Sequence, residues 1–174
     1  AKELMIRRLS ATSAVLTALL LLNHCSPSPQ AAATHLSLDY NRVTSHLSTL
    51  SDADRKTVED TVLLMKRGDH RLALVRLSAL NDRNPSNASL RLLGSYALLQ
   101  LGNLAEALAE AQHAHDAADH TAYQCYVLAR VADLNGNTNL AKREIEHVNG
   151  SGDEALKQAL APVAARVNAG VATN

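Results

Sequence analysis

The densest run of side chains able to hold an ion or move a proton is His113-Ala114-His115-Asp116-Ala117-Ala118-Asp119-His120. On a helix, His113 and Asp116 stand three positions apart, and His115 and Asp119, like Asp116 and His120, stand four apart. Such pairs share a face and can hold a divalent metal. A metal centre needs three or four ligands that converge, held by further hydrogen bonds. Histidine also suits the last turn of a helix, where the helix dipole favours a cation. The expectation is therefore a solvated helix end without metal, and a site built on His113, His115, Asp116 and His120 is the minor alternative.

Other chemistry leaves little trace. The chain has no phosphate-binding glycine loop, no serine nucleophile elbow and no paired-cysteine zinc motif. Glu144 and Glu146 flank Ile145 and read as surface charges. Asn87-Ala88-Ser89 and Asn149-Gly150-Ser151 fit the glycosylation pattern. With no catalytic constellation, the expectation is a protein that is not an enzyme and takes no cofactor.

Composition bounds the elements that carry these residues. Among 174 residues, 47% are hydrophobic, with 17 Lys+Arg against 17 Asp+Glu. That is too apolar and too weakly charged for a disordered chain. The absence of a basic excess argues against nucleic acid as a partner. There is no Trp or Phe, and the only aromatics are four tyrosines, Tyr40, Tyr96, Tyr123 and Tyr126. Ala and Leu dominate instead, and both favour helix. The fold class is all-α.

Residues 1–33 read as an address. Arg7 and Arg8 precede the uncharged stretch Leu9–Leu22, the basic and apolar regions of a secretory signal. That stretch is too short for an ordinary membrane-spanning helix, which needs about 20 residues. Cleavage after Ala33 in Ala31-Ala32-Ala33 is one exit; acylation of Cys25 is the other, with membrane attachment through the lipid. His24 departs from the small residue a lipidation motif places before its cysteine. Ser26-Pro27-Ser28-Pro29-Gln30 reads as a tether. The segment carries Lys2, Arg7 and Arg8 against Glu3 alone, so the remaining chain is mildly acidic. Cys125 is its one certain cysteine. No disulfide framework is available, and burial between helices is its expected fate.

The strongest signal is a repeat. Gly68, Gly102 and Gly136 are evenly spaced, and Ala73, Ala107 and Ala141 follow each by five. A glycine after a helical run ends the helix with positive φ. Asp69, Asn103 and Asn137 then occupy a turn or N-cap position. The alanine falls where a larger side chain would hold two helices apart. Each copy is helix, tight turn, helix.

In these positions the chain resembles the tetratricopeptide repeat family, whose period of about 34 residues is the step between the glycines. The copies span 54–87, 88–121 and 122–152. Thr61, Ser95 and Ala129 stand at the small position of the first helix. Leu64, Leu77, Leu98 and Ile145 replace the family's aromatics, and Pro85 is the one inter-repeat proline. The resemblance implies an α-solenoid in which first helices line a concave groove that binds a protein segment. Carried over by position, the groove comprises Val58, Val62 and Met65, then Leu92, Tyr96 and Leu99, then Tyr123, Tyr126 and Arg130. Tyrosine offers apolar area with a hydroxyl, which suits recognition.

Flanking elements complete the array. Leu36, Tyr40, Val43, Leu47 and Leu50 recur at helical spacing, so 34–53 reads as an N-terminal amphipathic helix over 36–50. That helix has the pattern to lie in the groove itself. Ser51 with Asp54 resembles a capping box. Residues 153–174 read as a C-terminal capping helix, kinked or split at Pro162, with a loose tail. The functional expectation is a non-enzymatic adaptor or assembly factor of a bacterial cell envelope, in the periplasm or at the outer membrane. It would bind a hydrophobic or amphipathic segment, with pilus or secretion assembly as the narrower analogy. A periplasmic chaperone or scaffold for an exported client is the alternative.

Overall fold

The computed structural model describes residues 36–44, 47–117 and 121–170. The address at 1–33, with Cys25, lies outside the described residues, as do Asp119, His120 and the chain's end beyond Gly170. Within the described part there are helices and turns and no strand. A short helix α1 (Tyr40–Thr44) and a 3-10 turn (Leu47–Thr49) precede seven longer helices. These are α2 (Asp52–Lys66), α3 (His70–Arg83), α4 (Ala88–Gln100), α5 (Leu104–His115), α6 (Ala122–Leu134), α7 (Thr138–Gly150) and α8 (Glu154–Asn168). From α2 onward each helix packs against the next, and alternate helices also touch, α6 on α4 and α8 on α6. The arrangement is all-α and solenoid-like.

The repeated glycine is what folds each pair. Gly68, Gly102 and Gly136 have φ of 85°, 80° and 71°, a conformation that costs any other residue strain. Around each, the same two hydrogen bonds close the first helix. The Gly68 N–H donates to Met65 O at 3.0 Å and the Asp69 N–H to Leu64 O at 2.9 Å, with equivalents at Gly102 and Gly136. This double closure satisfies carbonyls that would otherwise end the helix unpaired. The chain then enters the second helix, where Ala73, Ala107 and Ala141 are fully buried. In the second copy the Ser95 hydroxyl donates 2.7 Å to the Ala107 carbonyl, a contact that two large side chains would prevent. Thr61, Ser95 and Ala129 are all fully buried as well.

Helix starts follow local chemistry. Ser51 accepts from the Asp54 N–H at 3.1 Å, and Asn87, Asn137 and Asp153 cap α4, α7 and α8 in the same way. The Asp54 carboxylate accepts from Arg83 at 2.7 Å and Asn84 at 3.2 Å. Those contacts, Arg83 first, hold its pKa below the usual value. Thr121 and Gln124 form a complete capping box at α6. Asp69 and Asn103 stand at N-cap positions without capping through their side chains.

Two flanking elements differ from the sequence reading. A single helix over 36–50 does not form. Residues 36–39 belong to no helix, and burial alternates along them: Leu36 and Leu38 are buried, Ser37 and Asp39 exposed. The Asp39 carboxylate accepts from the Asn41 and Arg42 N–H groups at 3.1 and 3.3 Å, so α1 starts only at Tyr40. Aspartate competes for backbone donors in this way and marks a helix start rather than an interior. The second difference is α8. It runs from Glu154 to Asn168 without splitting at Pro162, because the carbonyl deprived of its donor belongs to exposed Gln158. The helix ends before Gly170, which has φ of 68° and stands one further repeat period after Gly136. The helix α8 therefore keeps the repeat register and packs on α6 as a first helix does.

Candidate functional site: the face of the first helices

The face formed by α2, α4, α6 and α8 is covered by the chain's own residues 36–44 and 47–50. A helix that lines an open groove keeps one polar or exposed side, whereas one that is apolar all round is buried. Here α4 and α6 are buried over nearly their whole circumference. Of the residues assigned to the groove, Val58, Val62, Met65, Leu92, Leu99, Tyr123 and Tyr126 are buried, and Tyr96 and Arg130 are half-buried. Leu36, Leu38, Val43, Leu47 and Leu50 of the covering segment are buried with them.

The segment makes a polar or aromatic contact to each first helix in turn. Lys66 Nζ of α2 stands 5.0 Å from the Tyr40 ring centroid. Tyr96 of α4 meets Tyr40 edge to face, with centroids 6.4 Å apart. The Asp39 N–H donates 2.6 Å to the Tyr123 hydroxyl of α6. Arg42 lies 5.9 Å from the Tyr123 ring and 2.5 Å from Asp153, the cap of α8. Burial pushes the Tyr123 phenol up to about 12, and burial followed by Tyr96 does the same for Tyr40. The Arg42 hydrogen bond holds the Asp153 carboxyl below its usual range. Tyr123 and Tyr126 stack with ring centroids 5.6 Å apart. Beside the segment a cavity of about 490 Å³ opens between Tyr40, Thr44, Arg55, Val62, Leu63 and Lys66.

The described part of the histidine-rich run points two ways, although His115 Nδ1 stays 3.5 Å from Asp116 Oδ1. His113 and Asp116 are exposed on α5 and its C-cap, while His115 turns inward. It meets residues that the spacing did not connect to it. His115 Nε2 is 3.1 Å from Glu144 Oε2, and His147 Nδ1 is 3.2 Å from the same oxygen. Glu144, read as a surface charge, is fully buried in α7. Its exposed neighbour Arg143 reaches Oε1 at 3.0 Å. Helix periodicity explains the correction: Glu144 shares a face with Ala141 and Val148, both fully buried, and an alternating reading around Ile145 missed this. Cys125 of α6 is buried beside Glu144. Its thiol is pushed up to about 11, first by burial and then by that carboxylate.

No family model matches this chain, no curated protein is similar to it, and no solved structure matches it.

Proposed function

We propose that the chain is a tetratricopeptide-like binding adaptor whose recognition face holds an extended, apolar peptide segment. The observation that carries this reading is the seating of residues 36–40, with Leu36 and Leu38 buried, Ser37 and Asp39 exposed, and Tyr40 packed on Tyr96. Alternate side chains enter the face while a backbone N–H is held by the Tyr123 hydroxyl. This is how a peptide is read by a groove. A client segment would present leucine-like side chains at every second position, followed by an aromatic. It would displace residues 36–44 or add beside them at the cavity next to Leu63. The intramolecular occupant lowers apparent affinity for such a client by the fraction of time the face is covered. The narrower placing, an exported adaptor of a bacterial envelope, rests on the basic and apolar pattern of residues 1–33.

The test uses a fluorescent peptide of residues 34–46 added to the full chain. Leu36→Ser with Leu38→Ser frees the face, and the peptide then binds this variant at least tenfold more tightly than the unaltered chain. Adding Tyr96→Ala and Tyr126→Ala to the freed variant removes that binding while helicity persists. Failure of the freed variant to bind the peptide would sink the reading.

A further inference from the structure

We propose that His115, Cys125, Glu144 and His147 form a zinc site at the junction of α5, α6 and α7. One donor atom from each lies within 4.8 Å of every other. Tetrahedral zinc, with bonds of about 2.0–2.3 Å, needs its donors about 3.3–3.6 Å apart. Donors up to 4.8 Å apart thus need to close by at most about 1.5 Å around an ion. Two imidazoles, a thiolate and a carboxylate match the borderline softness of zinc better than that of calcium or magnesium, which want oxygen alone. Four protein ligands leave no open position, so the site is structural rather than catalytic.

The repeat supplies an independent reason to place a cation here. One repeat period before Glu144, Cys125 and His115 stand Glu110, Arg91 and Asn81 of the preceding junction. There the Arg91 guanidinium bonds both Glu110 oxygens at 3.1 Å. At the later junction the arginine position is Cys125, yet the glutamate is retained and is more deeply buried. A buried carboxylate needs a positive partner or a full set of donors. Arg143 serves Oε1 from outside, whereas Oε2 faces the two imidazoles, 3.1 and 3.2 Å away. Zinc at that point takes the place of the guanidinium and binds the thiol as thiolate, releasing its proton to solvent. The His115 and His147 rings are 6.4 Å apart and 7° from parallel, each with one nitrogen beside Glu144 Oε2.

The test is titration of the tag-free, chelator-treated full chain with cobalt(II), then displacement by zinc. One equivalent of cobalt should give the visible absorption of a tetrahedral ion together with a thiolate-to-cobalt band in the near ultraviolet. One equivalent of zinc should abolish both. Cys125→Ser should remove the thiolate band. His147→Ala alters a half-exposed residue that the fold tolerates, and should weaken affinity by at least about tenfold, the scale on which even supporting residues act. Absence of the thiolate band in the unaltered chain would overturn the proposal. So would a cobalt spectrum indifferent to both substitutions, since the ion would then sit elsewhere, for example at the exposed His113.

Discussion

At the junction of α3, α4 and α5 stand Asn81, Arg91, Gly94 and Glu110; one repeat later, the junction of α5, α6 and α7 has His115, Cys125, Leu128 and Glu144. The backbone at the two places is built alike, by the same glycine turn and the same buried alanine. Their polar chemistry differs because of what fills the space around it. Gly94 contributes no side chain, and a cleft of about 540 Å³ opens beside Asn81, Arg91 and Glu110. Arg91 and Glu110 are each 23% exposed in their side chains. Leu128, 1% exposed, fills the equivalent place, and Glu144 is fully buried. Where the first junction keeps a partly wet ion pair beside a glycine, the second has an aliphatic side chain in that place and buries its carboxylate. Interactions in a dry cluster are stronger and an unmatched charge there is more costly.

The largest way to break this contrast is Leu128→Ala. Losing a buried leucine should lower stability by about 2–5 kcal/mol and let water reach Glu144. Denaturant unfolding measures the loss, and a value under about 1 kcal/mol would mean that Leu128 does not close the junction. A smaller effect is expected from Arg91→Ala. The Arg91–Glu110 pair is partly solvated, so its loss should cost about 1 kcal/mol and should shrink as salt is raised. A cost several times larger would show that the first junction is as dry as the second. The smallest effect sharpens the comparison by filling the cleft. A Cβ at Gly94 would meet Glu110 Oε2 at 3.9 Å and Asn81 Nδ2 at 4.0 Å, which is ordinary contact. Gly94→Ala should therefore raise stability by roughly 0.5–1 kcal/mol through helix propensity alone. A lower melting temperature for this variant would show that the first junction has no room for even a methyl group.

Much of the fold was legible before any coordinates. The even spacing of glycine and alanine gives the helix pairs, because only glycine takes positive φ cheaply and only a small residue admits close helices. The same spacing reaches Gly170, a signal that turns the terminal helix into part of the series. The candidate site was half legible. Tyr96, Tyr123 and Tyr126 stand on first helices as their register implied. The covering of that face by residues 36–44 was not decidable, since Leu36, Tyr40 and Val43 satisfy a helical period and Leu36 with Leu38 satisfies an extended one. Asp39 breaks the tie through its hydrogen bonds to the Asn41 and Arg42 N–H groups.

By itself the sequence determined that this is a helical repeat, because period, turn residue and small contact residue are local properties that recur in the chain. Tertiary structure alone decided two things. It seated the chain's own leucines and Tyr40 on the tyrosine face. It also turned His115 inward, with Nδ1 still 3.5 Å from Asp116, and brought it together with Cys125, Glu144 and His147. Those residues lie ten to thirty-two positions from His115 on two other helices. No spacing rule within one helix reaches that far. The packing of α5, α6 and α7 supplies the convergence.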